Sequence, residues 1–166
     1  MIITKDYINN LVDKYGNMIL RLSYTYLQNQ ADAEDIVQDV FLKIMEIKPV
    51  FNDDEHEKRW IIRTTVNMCK NKLKVFWRKN VSSLDDIKDI PCFDDYTEDS
   101  YVLQAVMSLP EKYRIVIHLY YYEEYSTPEI ASLLAKNVIT IRSILHRARE
   151  RLKIILKEAF DFEQQL

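Results

Sequence analysis

Apolar residues recur at steps of three and four along most of the chain, the period of one helix face meeting a core. Ile8, Leu11, Val12, Tyr15, Ile19, Leu22 and Tyr26 fall on one side of a first helix over about 5–26, with Gly16 a weak point inside it. A second helix begins in Ala31-Asp32-Ala33-Glu34-Asp35, whose carboxylates suit a helix N-terminus. It buries Ile36, Val37, Val40, Phe41, Ile44 and Met45 and ends at Lys48 and Pro49. Asp53-Asp54-Glu55-His56-Glu57 opens a third, running to about Lys79, in which Asp54 and Glu57 have capping-box spacing. Ile62, Val66, Cys69, Leu73 and Phe76 form its buried face, and the three helices are expected to make one bundle.

From Asn80 to about Ser100 the periodicity fails, Asp and Ser dominate and Pro91 interrupts, which predicts an acidic flexible linker over 80–100 between domains at 1–79 and 101–166. Val102, Val106 and Met107 then precede Ser108-Leu109-Pro110-Glu111, a second capping-box spacing with proline in the first turn. The helix starting there carries Tyr113, Ile115, Val116, Leu119 and Tyr120 to a break near Glu123-Glu124-Tyr125. Ser126-Thr127-Pro128-Glu129 caps a short helix through Leu134. After Ala135-Lys136-Asn137 a last helix runs from Val138 to about Phe160, seamed by Val138, Ile141, Leu145, Ala148, Leu152 and Ile155. A short helix, a three-residue turn and a longer helix make a helix-turn-helix. The expected fold class is therefore all-α, two small helical domains joined by an acidic linker, the second containing the helix-turn-helix.

Composition narrows the function. One glycine and four prolines in 166 residues cannot supply the turns of a many-stranded barrel. The same scarcity removes the dinucleotide fingerprint, the phosphate-cradling loop and the nucleophile elbow, each of which needs glycine backbone. Cys69 and Cys92 stand apart, and His56, His118 and His146 are scattered, so no metal set, cofactor site or catalytic constellation is signalled. Met1 to Asn10 lack a secretory pattern and no uncharged run is long enough to cross a membrane, so a cytoplasmic protein without membrane insertion is expected.

Charge changes the picture most. Residues 1–57 hold 5 basic and 11 acidic side chains, 58–79 hold 8 and 0, and 80–100 hold 1 and 7. In 101–137 there are 3 and 4, in 138–157 there are 6 and 1, and the last nine residues carry 0 and 3. Two basic islands thus stand in a protein of net charge −3. Solvated helix faces are the commoner origin of a single charge run. Two islands, each on a helix with its own apolar seam, favour phosphate contact. On the third helix Arg63, Asn67, Lys70, Asn71, Lys74 and Arg78 fall together opposite the core, mixing cations with amides that can bond base edges. Trp60, Phe76 and Trp77 could stack on bases of a single strand, with Phe76 better read as core. On the last helix Ile139, Arg142, Ser143 and His146 share the outward face, with Thr140, Arg147, Arg149, Arg151 and Lys153 around them, as in a helix that reads a major groove.

These residues resemble the sigma-70 family, specifically the small bacterial sigma factors of the extracytoplasmic-function group, over nearly the whole chain. Residues 7–79 look like region two, carrying Ala31 to Phe41 and Trp60-Ile61-Ile62-Arg63-Thr64-Thr65-Val66-Asn67. Residues 101–157 look like region four, with Leu109-Pro110-Glu111-Lys112-Tyr113-Arg114, Pro128-Glu129-Ile130-Ala131 and Leu145-His146-Arg147-Ala148-Arg149. The resemblance implies a non-enzymatic subunit that binds core RNA polymerase, through its beta-prime and beta subunits, and directs it to promoter DNA. It further implies that Asp35, Gln38, Asp39 and Leu42 face the polymerase, that Val50 to His56 capture a flipped base of the minus-ten strand, and that the last helix reads the minus-thirty-five duplex. Such proteins often have an anti-sigma partner. Ala135 and Lys136 replace the usual glycine and aliphatic residue at the corner, and Ile144 and Ile139 stand where arginine and glycine are common, so the groove surface is expected to be more apolar than usual. A stand-alone helix-turn-helix regulator and an acidic adaptor that binds only proteins are the alternatives.

Overall fold

A computed structural model describes residues 2–79 and 100–164. Among the described residues every regular element is helical. The chain divides into two compact units, residues 1–90 and 91–166. Most of the segment expected to be a linker lies outside the described residues; Ser100, its last residue, already opens a helix.

In the first unit α1 (Lys5–Leu27), α2 (Gln30–Ile47) and α3 (Asp54–Lys79) pack against one another. Helix α1 starts where the Thr4 hydroxyl accepts from the Tyr7 N–H at 3.2 Å. It ends at Gln28, whose left-handed backbone turns its N–H to the Tyr24 carbonyl at 2.8 Å. The Asn29 side chain caps α2 by accepting from Asp32 N–H at 2.9 Å, and Lys48 closes it in the same left-handed way. The core is Leu11, Tyr15, Ile19 and Leu22 from α1, Ala33, Ile36, Val40 and Ile44 from α2, and Ile61, Ile62, Val66 and Cys69 from α3.

The structure corrects the expected core at its edges. Val12 (42% exposed) and Met45 (39%) face outward, while Leu73 and Phe76 are only half-buried. Ile61 and Thr65 belong to the core because α3 meets both α1 and α2 and therefore buries a wider arc than one seam. The cap of α3 differs too. Asp53, not Asp54, accepts from the His56 N–H at 2.7 Å, and Glu57 turns inward.

The second unit holds α4 (Ser100–Ser108), α5 (Glu111–Ile117), α6 (Thr127–Leu134) and α7 (Val138–Gln164), with α5 running on into a π-helical turn at His118–Tyr122. The Ser108–Glu111 capping box does not form, since the Ser108 hydroxyl donates back to the Ala105 carbonyl at 2.6 Å. Pro110 instead precedes the first turn, and Arg114, buried, donates from Nη1 to the Leu109 carbonyl at 2.7 Å. The Ser126–Glu129 box does form, with bonds of 2.8 and 3.3 Å. Val102 is exposed, and Ala105, Leu109, Tyr113, Val116, Leu119, Ile130, Leu133, Ile141, Leu145 and Ala148 supply the core.

Candidate nucleic-acid interface

The helix-turn-helix corner is made without glycine. Ala135 takes φ 52° and ψ 48°, and the Lys136 N–H reaches back to the Ala131 carbonyl at 2.9 Å, the bond of a Schellman turn. Asn137 then caps α7, its Oδ1 accepting from Ile139 N–H at 2.8 Å. Ala131 is buried in α6, which packs against α7, and a larger side chain there would strain the core of this unit. With α6 locked behind it, α7 presents Ile139, Thr140, Arg142, Ser143, His146, Arg147 and Arg149, all exposed. Ile144 does not join this surface. Three residues after Ile141 and four before Ala148 it falls on the inner arc and is 7% exposed, so the expected apolar gain on the groove side reduces to Ile139.

Arg149 is tied within its own unit. Its Nε donates to the Tyr121 hydroxyl at 2.6 Å, and its guanidinium lies 5.1 and 5.5 Å from the Tyr120 and Tyr121 ring centres. The π-helical turn carries those two rings, and Arg151 sits 4.7 Å over Tyr113. The sequence offered no sign of the pairing, because the partners are 28 residues apart and joined only through the fold.

On the first unit Arg63, Asn67, Asn71, Lys74 and Arg78 are exposed along α3 and Lys70 is half-buried in the same stripe. The opposite face holds Ile62, Val66 and Cys69, all buried. Lys72, of the same basic island, turns away from the stripe to α2, where its ammonium lies 3.3 Å from both Asp32 and Asp35. Partial burial works against its charge, but the Asp35 and Asp32 carboxylates outweigh it and hold its pKa above the ordinary lysine value. Trp77 is exposed beside Arg78, and Trp60 is half-buried at the other end of the stripe.

Helix α2 carries Asp35, Gln38, Asp39 and Leu42 outward at steps of three and four, all exposed. Leu42 is 57% exposed, and Met45, one turn on, extends the face with a second apolar group. Asp35 keeps this outward position while engaging Lys72.

At the start of α3 the structure adds a cluster of which the sequence showed only the capping spacing. Glu57 is buried and accepts from Tyr15 Oη at 2.9 Å, Tyr7 Oη at 3.2 Å and Lys14 Nζ at 3.2 Å, and Lys14 also reaches Asp54 at 3.2 Å. Burial, together with the neighbouring carboxylate, pushes the Tyr15 hydroxyl up to about 12. Burial likewise raises Tyr7, while the Tyr15 hydroxyl and the two carboxylates raise Lys14. The cluster fastens the first turn of α3 to α1.

No helix among the described residues is long and apolar enough to cross a membrane, and no group of histidine, cysteine and carboxylate side chains among them could hold a metal ion. The chain matches the family model for Sigma-70 region 2 over residues 11–80 and that for Sigma-70, region 4 over residues 99–152. It is 30% identical over 158 residues to the ECF RNA polymerase sigma-E factor of Escherichia coli (strain K12), covering 86% of this chain and 82% of that protein. With the ECF RNA polymerase sigma factor SigW of Bacillus subtilis (strain 168) it shares 29% identity over 170 residues, 93% of this chain and 91% of the relative. Among solved structures it superposes on the sigma factor RpoE of Bartonella quintana, crystallised with the anti-sigma factor NepR, with a TM-score of 0.76 at 21% identity. That comparison covers 93% of this chain and 98% of the other, and it supports the fold. The pairing of both regions in one chain sets aside the stand-alone helix-turn-helix regulator. Both relatives are sigma factors, and the chain belongs to the extracytoplasmic-function group of the sigma-70 family of RNA polymerase sigma factors.

Proposed function

We propose that this chain is the promoter-directing subunit of a cytoplasmic RNA polymerase holoenzyme, catalysing no reaction itself, with its work divided among three helix faces. Domain one, residues 1–79, binds core polymerase and the minus-ten strand, and domain two, residues 101–166, binds the minus-thirty-five duplex. Asp35, Gln38, Asp39 and Leu42 on α2 dock on the beta-prime subunit, with the beta subunit as a further contact. Arg63, Asn67, Lys70, Asn71, Lys74 and Arg78 hold the melted minus-ten strand, the cations attracting phosphate and the amides bonding base edges. In the reading helix Arg142 and His146 contact base edges, Ile139 meets a thymine methyl, and Thr140, Ser143 and Arg147 grip backbone. Arg149 acts from a fixed position, because Tyr121 and Tyr120 already orient its guanidinium. An anti-sigma factor is the expected regulator, as in the RpoE–NepR pair.

The observation that carries this reading is the α3 stripe. Cations and amides run along one exposed side of a helix whose other side is buried, in a protein whose net charge is negative. The test is the double substitution Lys70→Ala with Lys74→Ala in reconstituted holoenzyme. Open-complex formation should fall several-fold while initial recruitment to closed duplex stays near wild type. An equal loss on duplex and pre-melted templates would contradict a strand-holding role, and no loss on either would leave the stripe a solvated face.

A further inference from the structure

The loop between α2 and α3 is held at both ends and in its middle. Lys48, at φ 51°, closes α2 with its N–H on the Ile44 carbonyl at 2.9 Å. Asp53 caps α3, and the Glu57 cluster binds the first turn of α3 to α1. Between these anchors the Asn52 N–H donates to His56 Nδ1 at 3.2 Å. Phe51 meets the His56 ring edge-on at 5.6 Å and the Trp60 ring at 5.8 Å and 64°. The imidazole therefore stands as an acceptor toward the loop through Nδ1.

His56 is exposed, and none of these contacts belongs to the core of the bundle. Its place on α3 is informative. Trp60, Arg63, Asn67, Lys70, Lys74 and Arg78 follow it at steps of three and four, so His56 heads the same stripe that carries the cations and amides. The residues it braces, Phe51 and Asn52, lie beside Val50, which is widely exposed.

We propose that His56 is a positioning residue for capture of the melted strand. It accepts the Asn52 N–H and braces Phe51, so the loop over 50–53 already holds the conformation in which it receives a base at the head of the α3 stripe. A loop ordered in advance loses less conformational freedom on binding, and this is where the affinity for the strand is gained. The inference rests on reading α3 as the melted-strand surface.

The test uses full-length chain reconstituted with core polymerase and a promoter recovered by that holoenzyme from a randomised pool. The promoter is prepared as closed duplex, kept at a temperature where it stays closed, and with a mismatched bubble over the minus-ten region. His56→Ala should weaken binding to the bubble about tenfold, the loss expected when one hydrogen bond and its ordering are removed, and leave closed-duplex binding within about twofold. His56→Asn, whose Oδ1 can take the Asn52 N–H, should recover binding to within about threefold of wild type. A purely structural role would lower both templates together. That equal loss, wild-type bubble affinity in His56→Ala, or no recovery in His56→Asn would each overturn the proposal. A wild-type holoenzyme that gains nothing from the bubble would instead overturn the strand-surface reading beneath it.

Discussion

Removing the Glu57 carboxylate should loosen the first unit more than any surface charge could. Its bond from the buried Tyr15 hydroxyl, at 2.9 Å, is charge-assisted and contributes about 1.5–3 kcal/mol. The bonds from Tyr7 and Lys14, both at 3.2 Å and partly solvated, add about 0.5 kcal/mol each. Glu57→Ala is therefore expected to cost about 3 kcal/mol, and Glu57→Gln, which keeps an acceptor for Tyr15 and loses the charge toward Lys14, about 1 kcal/mol. In a unit of this size the alanine variant should melt more than about 10 °C lower. Both tryptophans, Trp60 and Trp77, lie in the first unit, so tryptophan fluorescence follows its unfolding without interference from the second. The cluster also sets a pH limit. Tyr15 is neutral in the folded state and its pKa stands above the unfolded value of about 10, so its contribution is complete below pH 10. It should fade as the pH rises toward 12, the folded value. A loss below about 1 kcal/mol in Glu57→Ala, or equal losses in the alanine and glutamine variants, would mean that the buried carboxylate does not hold α3 to α1.

Four further substitutions probe other links. Gly16→Ala should raise the stability of the first unit by about 0.5–1 kcal/mol in the same fluorescence assay, because the added Cβ meets only Val12 Cγ1 at an ordinary 3.8 Å; a lower melting temperature would contradict it. Ala135→Gly should stabilise the second unit by about 0.5–1 kcal/mol, relief of left-handed strain outweighing the freer unfolded chain, as slower amide exchange along α7 would show. Faster exchange there would mean that Ala135 is not strained. Arg142→Ala should change which upstream sequences are selected from a randomised pool, by about 1–3 kcal/mol at one base pair, whereas Arg147→Ala should weaken all of them. A uniform loss in Arg142→Ala would assign it to the DNA backbone.

The order of the helices, and the bounds of all but α4 and α5, were legible because each apolar seam has its own period and most termini carry a residue that caps. Thr127–Leu134 and its Ser126–Glu129 box agree with the expected short helix. Residues at the margin of a seam were not legible in the same way. Val12 and Met45 satisfy the spacing yet face outward, since which margin is covered depends on the neighbouring helix. Ile144 fails in the other sense, buried where a groove surface was expected. Local rules also lose to tertiary ones. Glu57 has the spacing to complete a cap, but Tyr7, Tyr15 and Lys14 offer it a buried site and Asp53 takes the cap. The clamp of Arg149 by Tyr121 and the tie of Asn52 to His56 depend on local geometry that no repeat announces, a π-helical turn in one case and a loop backbone in the other.

Whether this chain directs core RNA polymerase to chosen promoters is decided by run-off transcription. Core enzyme with purified chain is offered a promoter library in which the upstream and minus-ten elements are randomised. Discrete transcripts are expected from a narrow set of sequences, absent with core enzyme alone. They should also be lost when Asp35, Gln38 and Asp39 are all replaced by alanine, with helicity and melting nearly unchanged. No sequence-selective transcripts from the wild-type mixture, or undiminished transcription by the triple variant, would contradict that role.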